Sequence, residues 1–189
     1  MRIEPARKIA ERIVATLKPW CERIDIAGSI RRNRPFVGDI DIVLMANRGQ
    51  EELIRARLLQ SCRRIVAGPQ AMVVAMNKPV GVDHPANELQ IDVWFAHRVE
   101  GDLFAGPIVA HNYGTLLVCR TGSKEHNIKL AMRARDLGMK WDPHHGVSRG
   151  GRIIAAEEEA HVFEALQLTM PAPEERDVTI RKPVAHVEP

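Results

Sequence analysis

The chain has 189 residues, of which 45% are hydrophobic and 27% charged, and its formal net charge is +3 at pH 7. This composition is typical of globular proteins, and no apolar run approaches the roughly 20 residues of a membrane-spanning helix, so we expect a cytoplasmic protein that does not contact membranes. The three cysteines, Cys21, Cys62 and Cys119, are widely spaced and form no CxxC pattern, which argues against a disulfide framework and against a zinc site. The mild positive charge permits a polyanionic partner without requiring one.

Apolar spacing predicts the elements of the first half of the chain. A helix is expected over 4–18, followed by short strands over 23–27 and 38–45, a helix over 50–61, and strands over 71–76 and 88–95. A loop over 77–87 joins the last two strands, since Pro79, Gly81 and Pro85 interrupt any regular pattern there. This order of elements predicts a mixed sheet with helices against one face.

After residue 97 the pattern becomes helical. Helices are expected over 107–118, 123–138 and 157–166, and a small β-hairpin over 141–154 that turns at Gly150 and Gly151. We therefore predict an α+β protein of two subdomains, 1–97 with the mixed sheet and 98–178 with mainly helices and a small hairpin. Residues 179–189 have little to bury and are expected to form a flexible tail.

Three acidic residues occupy the strands of the first half in a suggestive pattern. Asp39 and Asp41 are two apart, so on one strand both side chains face the same side, opposite Ile40 and Ile42. Asp92 alternates with apolar residues on the later strand in the same way. If the two strands are neighbours, three carboxylates converge, and their mutual repulsion calls for cations. Hard oxygen ligands favour two Mg²⁺ ions, for which Mn²⁺ can substitute, as in phosphoryl transfer.

A glycine-serine turn precedes these acids in the segment GSIRRNRPFVGDIDIVL, residues 28–44. Gly28 lets backbone amides approach a phosphate, Ser29 adds a hydroxyl, and the nearby arginines offer charge-assisted pairing. A glycine-serine turn, a basic stretch and then GDxD closely resemble the polymerase beta nucleotidyltransferase superfamily. The second motif, TGSKEHN at 121–127, resembles the thumb signature of family X DNA polymerases, and the resemblance extends over residues 1–178 as a minimal palm (1–97) and thumb (98–178).

The resemblance implies a role for each matching residue. Asp39 and Asp41 would bind both metals, and Asp92 would bind the catalytic metal and accept the proton of the primer hydroxyl. The other implied site residues are Gly28, Ser29, Arg32, Gly38 and Asn127 for the nucleotide, Cys119, Arg120, Thr121 and Gly122 beside the sugar, and Lys124, Lys129, Arg133 and Arg135 for DNA. The implied reaction is templated addition to a primer 3′-hydroxyl with loss of pyrophosphate, in short gap filling during DNA repair.

Departures from the family pattern shape further expectations. The sequence begins at the palm-like segment, without the lyase and helix-hairpin-helix domains that most relatives carry. We therefore expect a monomer with weak affinity for DNA and distributive synthesis. A repair-protein partner is one possible source of 5′-end recognition. Cys119 and Arg120 replace residues that are commonly aromatic, and Ile128 and Ala131 replace basic ones, which favours relaxed sugar selection and low fidelity. Gln90 stands where many relatives have an arginine.

Two other readings stay open at this point. The first is a terminal nucleotidyltransferase that needs no template or accepts ribonucleotides. The second is a non-catalytic module that binds DNA ends or acts like an antitoxin. The intact set of Asp39, Asp41 and Asp92 disfavours the second, since a dead site has no physical need for three converging acids.

Overall fold

The computed structural model describes residues 1–84, 86–98 and 111–177. The chain divides into two compact units, Met1–His97 and Arg98–Pro189. The predicted tail at 179–189 and the first part of the predicted helix at 107–118 lie outside the described residues. Within the described ranges, no helix combines the length and the apolar character that crossing a membrane requires.

A five-stranded mixed sheet forms the frame of the first unit. Its strands are β1 (Cys21–Ile26), β2 (Ile40–Ala46), β3 (Arg63–Ala67), β4 (Ala71–Asn77) and β5 (Glu88–Phe95). Their spatial order is β1-β2-β5-β4-β3, and the pairing is parallel between β2 and β5 and antiparallel elsewhere. The mixed α+β architecture predicted from the sequence is therefore confirmed.

Three helices accompany the sheet: α1 (Ile3–Leu17), α2 (Gly28–Arg31) and α3 (Glu51–Leu59). Alternate residues of β2 and β5, such as Ile42 and Ile91, are fully buried in a core that also contains Ala10 of α1 and Ile54 of α3. The opposite row of side chains on the same strands is only partly buried at Asp41 and Asp92. The packing of the apolar row thus leaves the acidic row available for chemistry.

Local features of the first unit differ from the sequence prediction, among them two strands and the short helix α2, which stands where a turn is predicted. The edge strand β3 was not predicted, because all five of its residues are exposed and its side chains therefore show no inward-outward alternation. The second strand begins at Ile40 rather than at residue 38, which leaves Asp39 in a bend just before it. Strand periodicity therefore does not fix the direction of the Asp39 side chain.

In the second unit, the described residues 98 and 111–177 form three α-helices and a small sheet. The helices are α4 (Tyr113–Thr121), α5 (Lys124–Asp136) and α6 (Glu159–Ala165), and the strands are β6 (Lys140–Asp142), β7 (Gly146–Arg149) and β8 (Arg152–Ala155). The hairpin predicted around Gly150 and Gly151 joins β7 and β8, and β6 extends it to three strands. Leu130, Val147 and Phe163 bring α5, the small sheet and α6 into one core.

A buried ion pair fastens the segment that follows α6. The guanidinium Nη1 of Arg176 donates to Oε1 of Glu159 at 2.8 Å, and the two side chains are 1% and 12% exposed. The Arg176 guanidinium also lies 5.4 Å from the ring centre of Phe163. Because α6 supplies both contacts, Arg176 ties the end of the described chain to that helix.

Candidate functional site

Asp41 and Asp92 lie side by side in the sheet of the first unit. The parallel strands β2 and β5 pair these two residues directly in register, with Ile40 opposite Ile91 and Ile42 opposite Val93. Register partners on neighbouring strands point to the same face and are separated by about 4.8 Å between strands. The structure therefore aligns two partly buried carboxylates on the face opposite the hydrophobic core.

Asp39 is near this pair in sequence but is not placed by the strand. It is partly buried in the bend that leads into β2. Among residues 1–84, 86–98 and 111–177, no group of three His, Cys, Asp or Glu side chains is arranged to hold a metal ion. The two strand-borne carboxylates are thus aligned, whereas three-ligand convergence that includes Asp39 stays a prediction.

Gly28 lies directly against the carboxylate of Asp41. A Cβ atom added at Gly28 would lie 2.8 Å from Cγ of Asp41 and would overlap the carboxylate oxygen, and the backbone of Gly28 has φ +60°. The amide of Ala27 donates to the carbonyl oxygen of Asp41 at 2.8 Å. Only glycine fits both the conformation and the space, so the turn and the acidic strand form one packed structure.

Ser29 offers a buried hydroxyl next to this contact. Its Oγ is inaccessible and has no hydrogen-bond partner among the described residues. A buried hydroxyl without a partner costs free energy, and such groups in proteins call for an explanation in terms of function or of a bound species. Arg32, one turn further on at the end of α2, is partly buried.

The basic turn that follows α2 is held by backbone and side-chain hydrogen bonds. The amide of Arg34 donates to Ser29 O at 3.0 Å, and Asn33, with φ +55°, accepts from the guanidinium of Arg7. Further along, Val37 N donates to Met1 O at 2.9 Å. The segment that carries the arginines toward Asp39 is therefore anchored to α1 and to its own first residues.

Gln90 makes a contact with the site that the sequence analysis missed. Its Nε2 donates to Oδ1 of Asp92 at 2.8 Å. Gln90 and Asp92 are two apart on β5 and so share a face, a spacing that was sufficient to suggest the contact. The hydrogen bond orients the Asp92 carboxylate.

In the second unit, the TGSKEHN segment forms the junction between α4 and α5. Ser123 is the N-cap residue of α5, and its Oγ accepts from the amide of His126 at 3.3 Å. Asn127 donates from Nδ2 to the carbonyl of Cys119 at 2.8 Å, while its buried Oδ1 has no partner among the described residues. The side-chain amide of Asn127 is thus held through Nδ2, and its Oδ1 remains available to accept a hydrogen bond from another group.

The residues predicted to face the sugar lie at the end of α4. Cys119 and Arg120 are partly buried, whereas Thr121 and Gly122 are buried. Gly122 has φ +69°, which ends the helix before the cap at Ser123. Burial raises the pKa of the Cys119 thiol, so this side chain remains a neutral thiol at pH 7.

The predicted DNA-contacting cations of α5 fall into two groups. Lys124, Lys129 and Arg135 are exposed. Arg133 is partly buried, and its guanidinium donates to Leu166 O at 3.0 Å and to Gln167 Oε1 at 3.3 Å. A phosphate contact by Arg133 would have to replace these bonds, so the exposed cations are better placed for DNA.

His126 is buried in the core of the second unit. Its ring lies 5.8 Å from the ring of Phe163, and within the described part of the chain neither ring nitrogen has a hydrogen-bond partner. Burial lowers the pKa of His126 to about 4, and the positive charges of Arg176 and Lys129 act in the same direction, against the opposing charge of Asp177. His126 is therefore neutral at pH 7 and packs as part of the core.

We expect His126 to make the second unit sensitive to acid. The unfolded chain binds a proton at this group below about pH 6.5 and the folded chain only near pH 4, so stability is full above pH 6.5 and falls as the pH is lowered to 4. The expected loss is up to about 1.4 kcal/mol per pH unit, or roughly 3 kcal/mol in all. Urea unfolding at several pH values measures it, and His126→Leu should flatten the slope between pH 6.5 and 4.

The exposed His161 of α6 provides a matched control for this measurement. His161→Gln should leave the pH dependence as in the parent protein. An unchanged slope in His126→Leu would contradict the assignment of the acid sensitivity to His126.

Comparison with known proteins bears on the second unit. Residues 116–177 match the family described as DNA polymerase beta thumb. This match supports a relation to polymerase beta-like proteins and, with it, a DNA-binding function. No curated protein matches the chain.

The matched region begins in α4 and ends at Asp177, so it contains the TGSKEHN junction, the small sheet, α6 and Arg176. It spans about a third of the chain and lies outside the unit that carries Asp41 and Asp92. The thumb-like character of the second unit therefore rests on the family match, whereas the palm-like reading of the first unit rests on its sequence motifs and geometry.

Proposed function

We propose that this chain is a metal-dependent nucleotidyltransferase that acts as a DNA-directed DNA polymerase in short gap filling. One observation carries the proposal: Asp41, the register partner of Asp92, lies against Gly28 of the Gly28-Ser29 turn. A carboxylate pair next to a glycine turn with a buried hydroxyl brings ligands for a cation close to hydrogen-bond donors for a phosphate. The thumb match of the second unit supports DNA as the substrate.

The donor set suits Mg²⁺ or Mn²⁺. Asp41 and Asp92 offer hard oxygen ligands on one face of the sheet, and their closeness makes a neutralising cation favourable. In this proposal Asp41 and Asp92 hold the cation and Asp39 joins them from the bend before β2. The bound metal supplies charge neutralisation and activation of the primer hydroxyl.

The chain's own groups have distinct parts in the proposed reaction. Asp92, oriented by Gln90, accepts the proton of the primer 3′-hydroxyl as that oxygen attacks the α-phosphate and pyrophosphate leaves. Ser29 donates its buried hydroxyl to the outer phosphates beside the backbone of Gly28, Gly38 contributes its backbone, and Arg32 contributes charge. Asn127 is assigned to the incoming base, toward which it would offer the Oδ1 acceptor that its bond to Cys119 leaves unused.

Contact with DNA is assigned to the second unit. Lys124, Lys129 and Arg135 of α5 are exposed and carry the charge that phosphates require. Each such contact releases counterions from DNA, so binding should weaken steeply as salt is raised. The expected partners are a primer-template or gapped duplex and nucleoside triphosphates.

Extension of a labelled primer tests the proposed function. The substrates are a one-nucleotide-gapped duplex, a recessed duplex and a single strand, each with dNTPs or rNTPs and with Mg²⁺ or Mn²⁺. We expect templated addition to the gapped and recessed duplexes. The variant Asp41→Asn, prepared in the same way, should show no addition and so excludes a contaminating polymerase.

The arms of the experiment separate the alternatives. Addition to single strands, or equal use of rNTPs, would identify a terminal or ribonucleotide-accepting transferase instead. Absence of addition on every primer with either metal would leave a DNA-binding module without catalysis.

A further inference from the structure

The loop between β4 and β5 folds back on itself and reaches the turn before β2. Lys78 N donates to Asn87 O at 2.9 Å, which closes the base of the loop, and Lys78 Nζ donates to His84 O at 3.1 Å. Val82 packs against the core of the first unit. These contacts hold His84 at a defined position, although it is 46 residues from Gly38 in sequence.

His84 bonds the backbone one residue before Asp39. Its Nε2 lies 3.0 Å from the carbonyl oxygen of Gly38, and its Nδ1 lies 3.2 Å from the amide nitrogen of Ala86. A carbonyl oxygen only accepts, so Nε2 must carry a hydrogen and donate to Gly38. The amide of Ala86 donates to Nδ1, which also lies 3.3 Å from the carbonyl oxygen of Ala86, so backbone groups hold both ring nitrogens of His84.

The hydrogen bond from His84 restrains the backbone at Gly38, where few other contacts do so. A Cβ atom added at Gly38 would meet no atom within 4 Å, so side-chain packing does not restrain this residue. The preceding residue is held by the pairing of Val37 with Met1. His84 provides the hydrogen bond on the side toward Asp39, where β2 has not yet begun.

We propose that His84 is a positioning residue that sets the backbone from which Asp39 leaves the turn, and so prepares Asp39 to join Asp41 and Asp92 around a divalent cation and its nucleotide. The inference rests on the proposed function and adds a residue to it from a loop outside both motifs. It explains how a carboxylate that lies before the strand acquires a fixed direction. Partners that orient the ligands of a metal typically change metal affinity or activity by about 10- to 100-fold.

Metal binding provides a test that does not depend on turnover. The free Mn²⁺ concentration is followed by electron paramagnetic resonance in the presence of a non-hydrolysable deoxynucleoside triphosphate. We expect His84→Ala to weaken Mn²⁺ binding about tenfold and to raise the metal concentration for half-maximal primer extension by a similar factor. His84→Gln keeps an N–H donor at a similar distance and should restore most of both.

Two further measurements distinguish positioning from loss of folding. Hydrogen exchange over residues 35–41 should accelerate in His84→Ala while the melting temperature stays near that of the parent. His161→Ala, a histidine removed from the exposed face of α6, should change neither exchange nor metal affinity.

The outcomes separate this inference from the proposed function. A parent that binds Mn²⁺ with nucleotide, together with a His84→Ala variant of equal affinity, overturns the positioning role alone. Equal impairment in His84→Gln and His84→Ala at normal stability also overturns it, because the donor would then be irrelevant. A parent that binds no Mn²⁺ with nucleotide and extends no primer overturns the proposed function and this inference together.

Discussion

Asp92→Asn is expected to abolish primer extension while leaving the protein folded. The change removes the negative charge that would bind the cation and accept the primer proton, and general-base groups contribute roughly 100- to 10,000-fold to rate. The side chain keeps its size and its hydrogen-bonding capacity toward Gln90, so the β2-β5 pairing should persist. Single-turnover primer extension gives the rate, and the melting temperature reports on the fold.

A matched change on β1 serves as the control. Asp25 is exposed and pairs in register with Val43 of β2, and Asp25→Asn removes one negative charge from the same sheet while leaving both carboxylates of the Asp41-Asp92 pair in place. It should keep most of the parent rate. Comparable loss in Asp25→Asn, or a nearly normal rate in Asp92→Asn, would argue against the assigned role of Asp92.

Arg176→Met is expected to cause the largest loss of stability. The substitution leaves Glu159 partly desolvated and without its cation, and removing one member of a buried ion pair typically costs about 3 to 5 kcal/mol. It also removes the cation that lies near the Phe163 ring. Urea unfolding measures the change, and hydrogen exchange in α6 reports on the second unit separately from the first.

The double variant Arg176→Met with Glu159→Gln tests the physical cause. Neutralising Glu159 removes the carboxylate charge that the Arg176 guanidinium balances in the parent protein, so much of the lost stability should return. If the double variant is as unstable as Arg176→Met, then lost packing rather than an unpaired charge explains the effect. The surface pair of Arg63 and Glu88, at 2.7 Å but largely exposed, is the control, and Arg63→Met should have a much smaller effect.

The sequence predicted the sheet well where burial creates alternation. The β5 boundaries were predicted at 88–95 and are Glu88–Phe95 in the structure, because every second side chain there faces the core. The edge strand β3 was missed, since its side chains are exposed on both faces and its pairing with β4 leaves no pattern in sequence. Strand register was equally hidden: the sequence left the adjacency of the two acidic strands as a condition for convergence of the carboxylates, and the structure meets it by pairing β2 with β5.

Some contacts of the site could not be predicted from the sequence, because they depend on tertiary structure. The packing of Gly28 on Asp41 and the bond from His84 to Gly38 join residues that are distant in the chain, so only tertiary structure reveals them. The Gln90 contact was within reach, because spacing by two on a strand already puts it beside Asp92.

The parallel pairing of β2 with β5 has a consequence for the order of folding. The strands β4 and β5 form a hairpin of nearby residues, whereas Asp41 and Asp92 are about 50 residues apart in sequence. Bringing these two residues together costs chain entropy before favourable contacts can offset that cost, and the two acids repel each other as they approach. We therefore expect the Asp41-Asp92 pair to assemble late, after β1 has paired with β2 and β4 has paired with β3 and β5. Assembly of the pair should be faster when divalent cations are present in the refolding buffer.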